Sequence, residues 1–312
     1  MKPIITIALT AVLTISFASC RKSESPLKTQ NFCCKPSKDI QHILEEEINA
    51  QRKIIKPDWT CALVLNERGE IIAGYDTYNS STLPHLYKEM VIGSLFMPFS
   101  ILIATRTNLV DSSSVFPFTN FHIRDVIANN SYIGVKRIVY KALSNSKYCE
   151  QWCKDNLGEL DVISNLSSNR YGYLSLAGVN VITTPAHITW LYHCLAHGLF
   201  PEEWHVESSG VLEGLHDCVW NNELGTASVS KYGGEIVYDR AQSDKVAIIG
   251  KTGAMMIDND PYKHIISFVG IFPEDKPQYT CLVMFGNPKG IYCAGVDCGG
   301  TVRRIAEQIM TK

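Results

Sequence analysis

The sequence has no Cys-x-x-Cys pair among its 11 cysteines, so the common zinc spacings are missing. It has no excess of charge of one sign. The net charge is −2 and charged residues make up only 19%, which leaves no electrostatic case for a nucleic-acid partner or for an anionic membrane surface. It shows no internal repeat, which excludes solenoids and propellers. No cofactor and no metal are expected. What is present is apolar: hydrophobic residues are 46% of 312, enough to bury a sizeable core in one large domain or two small ones.

The first residues are a different material. "MKPIITIALTAVLTISFASC" carries one lysine, an uncharged apolar run and small residues before a cysteine. This is a secretory signal pattern, short for a spanning helix. Phe17-Ala-Ser-Cys20 resembles a bacterial lipobox, with Phe17 in place of the usual leucine. That resemblance implies lipidation at Cys20 and a chain exported and held at the membrane, facing the periplasm. The polar, proline-bearing stretch after it reads as a tether. The expected organisation is a signal peptide over 1–19, a lipidated N-terminus and linker over 20–38, and one domain over 39–312.

Ten cysteines remain after Cys20: Cys33, Cys34, Cys61, Cys149, Cys153, Cys194, Cys218, Cys281, Cys293 and Cys298. Export permits disulfides. Cys149 and Cys153 are one helical turn apart, and Cys293 and Cys298 could meet across a turn. The alternative is that they are buried as small apolar residues.

Periodicity predicts the elements. Ile40, Ile43, Leu44 and Ile48 recur at helical spacing over 40–55, with Ser37 or Asp39 as cap. Two apolar runs joined by Asn66-Glu-Arg-Gly69 read as a hairpin over 60–77. Helices are predicted over 94–109, over 123–143 with an interruption at 129–132, over 183–200 behind threonine caps and a proline, over 208–220 and over 299–310. Three β-type runs cover 245–254, 265–273 and 279–287. Strands at both ends with helices between suggest an α+β fold with one mixed sheet closed by both termini.

Five segments in order then resemble the transpeptidase domain of penicillin-binding proteins: "LVLNERGEIIAG", "GSLFMPFSIL", "SLAGVNVITTPAHITWLYHCLAHG", "WNNELGTA" with "IIGKTGA", and "SFVGIFPEDKPQYTCLVMFGNPKG". The resemblance implies a β-lactamase/transpeptidase-like fold, an antiparallel sheet flanked by the terminal helices plus an all-helical block. It implies a serine acyl-transfer site in peptidoglycan metabolism, with a stem peptide or a β-lactam as ligand. In that family a serine starts a helix and a lysine at i+3 takes its proton. A Ser-x-Asn motif lies near the leaving group. Lys-Thr-Gly on an edge strand binds the substrate by strand addition, with Lys and Thr facing its carboxylate.

The chain keeps part of this pattern. Ser94 stands at the nucleophile, but i+3 is Met97, and a thioether is no base at neutral pH. "ANNSYIG" places Asn130 at the second motif's serine and Tyr132 at its asparagine. A literal Ser167-x-Asn169 lies further on, in a loop-like stretch. Lys251, Thr252 and Gly253 keep the third motif, followed by Ala254 where a carboxylate-binding threonine is usual. The implied oxyanion hole is built from backbone N–H groups at Ser94 and Ala254, which need no particular side chain. His85 and Lys88 are candidate substitute bases, or ordinary loop residues. Ser94 itself is either a vestigial nucleophile or a helix N-cap. The expectation is a catalytically degenerate binding or scaffold protein. The alternative is an active serine DD-transpeptidase, carboxypeptidase or β-lactamase with a substitute base. A protein partner is left open.

Overall fold

The computed structural model describes residues 35–78, 84–105, 110–111, 114, 121–143, 163–164, 181–200, 205–228, 231–232, 235–236, 239–257, 260–290 and 292–312. The expected signal peptide, Cys20, Cys33, Cys34, Cys149, Cys153 and Ser167-x-Asn169 lie outside these residues.

The fold is built on a five-stranded antiparallel sheet in the order β2-β1-β10-β9-β8. The strands are β1 (Trp59–Leu65), β2 (Ile71–Asp76), β8 (Ile249–Ile257), β9 (Asp260–Phe272) and β10 (Tyr279–Gly286). The first hairpin turns at Asn66–Gly69. Asn66 Oδ1 accepts from the backbone N–H groups of Arg68 and Glu70, and Gly69 takes φ +73, a region that glycine enters without a Cβ clash. β1 and β10 read as near-continuous apolar runs because the sheet is covered on both faces. Ala62, Val64, Cys281 and Val283 face one core, and Leu63, Leu65, Leu282 and Met284 face the other.

Both terminal helices cover the first face. α1 (Lys38–Ile55) starts at Ser37, whose hydroxyl accepts from Ile40 N, and buries Ile43, Leu44, Ile48 and Ile55. Each such side chain contributes about 1.5–3 kcal/mol on burial. α7 (Gly299–Met310) lies beside it and adds Val302, Ile305 and Ile309 to the same core. Arg304 joins the two helices through Glu47 at 2.7 Å.

The other face carries the helical block: α2 (Met97–Thr105), α3 (Ile123–Ala128), α4 (Tyr132–Leu143), α5 (Pro185–Ala196) and α6 (His205–Trp220). Thr184 caps α5 by accepting from His187 N, Pro185 occupies its first turn, and Gly198 just past its end takes φ +60. The predicted interruption is real: α3 ends at Ala128 and α4 begins at Tyr132. Two small sheets complete the described residues. One joins β3 (Met90–Val91), β5 (Val181–Thr183) and β4 (Ile163–Ser164); the other pairs β6 (Lys231–Tyr232) with β7 (Glu235–Ile236).

Three expectations change. The helix predicted over 94–109 opens as a tight 3₁₀ turn over Gly93–Phe96 and becomes α-helical only at Met97. Ser94 is therefore inside the turn and not an N-cap; the residue in that place is Ile92, which has no capping hydrogen bond. Cys293 and Cys298 do not pair, and both are free thiols, as are Cys61, Cys194, Cys218 and Cys281. Cys293 is exposed at the start of a π-helical turn, whereas Cys298 is buried at its end, so the intervening residues carry the two apart. Burial pushes the Cys61, Cys194, Cys281 and Cys298 thiols well up, as suits small apolar filler. β8 and β9 also form a longer hairpin than expected, running past Ala254 to Ile257 and starting again at Asp260.

Candidate active site

β8 is one of the two edge strands of the sheet and carries Lys251, Thr252, Gly253 and Ala254. Gly253 faces the helical block. A Cβ there would come within 2.8 Å of Leu95 Cγ and 2.3 Å of Ser267 Oγ, so glycine is what lets the Ser94 turn lie on the strand. One residue before the serine, Gly93 takes φ +62 and passes close to Met255 and the Ala254 carbonyl. Ser94 is bracketed by these two contacts and is partly exposed, at the rim between the turn and β8. The turn is anchored from below: the fully buried Tyr192 donates its hydroxyl to Leu95 O at 2.7 Å. Burial pushes that hydroxyl's pKa well up, so it stays a donor. Tyr192 was legible only as one more aromatic in an apolar helix.

Met97 begins α2 and is 2% exposed within an apolar cluster that includes Phe96, Phe99 and Ile101. No amine lies on that turn.

The amine at the site is Lys251, and it is fully buried. Its Nζ donates to Asn130 Oδ1 at 2.7 Å and to Thr252 O at 2.9 Å. Among the described residues it makes no ion pair. Burial pulls its pKa down to about 8, because a desolvated ammonium without a carboxylate loses more than it recovers. Asn130 reaches it from the break between α3 and α4, where it takes φ +53, a left-handed conformation in which asparagine is enriched. Ser131 is turned to the helix, its hydroxyl accepting from Gly134 N at 3.1 Å. Tyr132 is 40% exposed, with Lys136 Nζ 5.7 Å from its ring centroid, a cation–π distance.

Thr252 points to the opposite face of β8 from Lys251. Its hydroxyl lies 2.6 Å from Thr226 Oγ1, which lies 3.3 Å from Cys218 Sγ. Thr226 N donates to Ala128 O, next to the Asn130 turn, and Trp220 Nε1 donates to Ile248 O at 2.8 Å. These bonds tie α3, α6 and β8 into one frame. The predicted Gly-Thr-Ala and Lys-Thr-Gly segments are thus brought together.

The substitute bases are not brought in. His85 Nδ1 lies 2.8 Å from Asp76 Oδ1, and its ring stacks on Trp59 at 4.6 Å. Asp76 ends β2, at the far edge of the sheet from β8. Lys88 is exposed three residues further on. Among the described residues no group of three or more His, Cys, Asp or Glu could hold a metal ion, and no helix is long and apolar enough to cross a membrane.

No family model matches the sequence, and no curated protein matches it. Solved structures do. The transpeptidase domain of the FtsI4 D,D-transpeptidase from Legionella pneumophila aligns at 19% identity and TM-score 0.69, over 90% of this chain and 100% of that one. The transpeptidase domain of penicillin-binding protein 3 from Burkholderia pseudomallei aligns at 16% and 0.66, over 88% and 95%. Penicillin-binding protein 3 from Mycobacterium tuberculosis, solved with aztreonam, aligns at 14% and 0.65, over 88% and 77%. Over nine-tenths of its length, then, this chain carries the fold of the penicillin-binding protein transpeptidase domain.

Proposed function

We propose that this protein is an exported, lipid-anchored member of the cell-wall machinery whose transpeptidase-like domain binds a peptidoglycan peptide or a protein partner without efficient acyl transfer. The observation that carries this reading is Met97, buried in the apolar cluster one turn after Ser94. Serine acylation needs a group to take the hydroxyl proton, and positioned base help contributes roughly 10²–10⁴-fold. A thioether supplies none. The backbone of the Ser94 turn and the third-motif strand remain in contact, so binding and oxyanion-stabilising parts outlast the proton-transfer part. Lipid anchoring rests on the lipobox-like run ending at Cys20.

One observation favours a second reading, residual enzyme activity. Lys251 is a buried amine with its pKa pulled down to about 8, on the strand that meets the Ser94 turn. A fraction of it is neutral near pH 7–8, as a base requires. Its hydrogen bonds to Asn130 and Thr252 O direct it elsewhere.

A fluorescent penicillin read by intact mass tests the choice. The expected result is no stable adduct in the time that labels an active relative, with Met97→Lys as the constructive variant. Rapid acylation of wild type that Ser94→Ala abolishes would establish the enzyme reading. For the anchor, Cys20→Ala is expected to release the protein or leave its precursor unprocessed. A wild-type protein already soluble in the periplasm would refute it.

A further inference from the structure

β2 is the other edge strand of the sheet, and three devices cover its outer backbone. The segment before α1 runs along it as a strap. Lys35 N donates to Ile71 O at 3.0 Å, and Ser37 N donates to Ile72 O at 2.8 Å. Lys35 Nζ also lies 2.6 Å from Glu70 Oε1. Gln41, near the start of α1, then supplies a rung from its side chain. Its amide accepts from Gly74 N and donates to Gly74 O, both at 2.9 Å, as the backbone of a neighbouring strand would. Glu45 Oε1 accepts from the same amide nitrogen at 2.7 Å and so fixes which way the amide faces. At the end of the strand the Asp76 carboxylate accepts from Leu86 N at 2.9 Å and lies 2.8 Å from His85 Nδ1.

The strap also ends the sheet. Pro36 stands between the two donors and is exposed. Successive residues of an extended chain point to opposite sides, so an N–H at position 36 would face away from β2. Proline has none, and a further strand finds no donor there. The chain then enters α1 at Lys38. The strand under the strap is one that calls for cover. Ile71, Ile72, Ala73, Gly74 and Tyr75 form an uncharged, β-prone run between Glu70 and Asp76. With an open edge, such a run pairs with copies of itself.

We propose that residues 35–41 are an edge guard, a strap that keeps β2 from strand pairing with a second copy of this chain. Loss of the strap opens the edge at 71–75. The partner it then takes is the same edge of another copy, joined about a two-fold axis. The stretch expected to be a plain linker thus has a second task, and that task is independent of the chemistry at Ser94.

The test compares the full chain with Gln41→Ala and with the double variant Lys35→Pro/Gln41→Ala, all in the same mild detergent. Sedimentation velocity across about a hundredfold dilution reads self-association. Hydrogen exchange read by mass spectrometry follows residues 71–76. Wild type is expected to sediment as a monomer with 71–76 protected. The double variant is expected to associate at least about tenfold more tightly, losing protection at 71–76 on dilution and regaining it on concentration. Gln41→Ala alone puts the best helix former at a partly exposed site and is expected to shift association the same way, by less. Circular dichroism checks that each variant is folded, and the single variant decides the matter if the double one is not. A folded variant that stays monomeric at every concentration would overturn the guard. Association that leaves 71–76 as unprotected as in the monomer would place the contact elsewhere and overturn it too. So would a wild type that associates as tightly as the variants.

Discussion

The Ser94 turn and the Lys251 strand lie against one another, yet they are held in different ways. The turn is seated by apolar packing: Leu95, Phe96 and Met97 are buried, and among the described residues its long-range side-chain tether is Tyr192 to Leu95 O. The strand is held by polar bonds that run from Asn130 through Lys251, and from Thr252 through Thr226 to Cys218. Apolar packing tolerates a change of chemistry if volume is kept, whereas a buried hydrogen-bonded set loses heavily when one member goes. This accounts for an apolar Met97 at the end of the turn, and for a Lys251 and a Thr252 that are each hydrogen-bonded on the strand.

Putting an amine into the turn breaks the comparison most sharply. Met97→Lys is expected to lower stability by about 3 kcal/mol or more, because the ammonium would be buried among apolar side chains without a partner. Urea unfolding measures it. A variant as stable as wild type would mean that the Met97 site already accommodates a charge, which would weaken the degenerate reading.

Lys251 sharpens it through pH. Its folded pKa of about 8 lies below the ordinary lysine value of 10.5. Between those values the unfolded chain holds the proton more often than the folded one, so stability rises with pH through that window. Relative to Lys251→Met, wild type is expected to gain about 3 kcal/mol from pH 8 to 10.5. Asn130 does not titrate, so its lost partner shifts the variant without tilting the curve. Parallel curves for the two proteins would refute the buried, carboxylate-free environment.

Gly253→Ala tests how closely the two segments touch. The new Cβ would meet Ser267 Oγ at 2.3 Å and Leu95 Cγ at 2.8 Å, and overpacking of this kind costs about 1–3 kcal/mol. Thermal unfolding is the measurement, and an unchanged midpoint would show that the turn gives way freely. Thr226→Val is the smallest expected change, about 1 kcal/mol. It removes the hydroxyl between Thr252 and Cys218 while keeping the shape. If denaturant unfolding finds no loss, the threonine pair adds no net stability.

Much of the frame was legible because it is local. Ser37 and Thr184 as caps, Asn66–Gly69 as a turn, and the break at Asn129–Ser131 each follow from the preferences of a few neighbouring residues. The apolar strands were legible as runs, whereas their order β2-β1-β10-β9-β8 is a property of the packed sheet. The segment order pointed to Ser94, Asn130 and Lys251; the structure bonds Lys251 to Asn130 and lays the turn that carries Ser94 against Gly253 of the same strand. What each side chain does there was not legible. The tight 3₁₀ opening of the Ser94 segment was hidden by an apolar run that reads equally as α-helix, and packing of Leu95 on Gly253 against the Tyr192 tether selects it.

By itself, then, the sequence determined the strands, the caps, the turns and the absence of an amine at position 97, because each depends on residue type and short spacing. Only the tertiary structure decided that Lys251 is buried against Asn130, 121 residues away, and that His85 is committed to Asp76 at the end of β2. It also decided that Cys293 and Cys298 stay unpaired. Those outcomes turn on which distant groups share a low-dielectric interior, where a donor must find whatever acceptor the packed chain brings within about 3 Å.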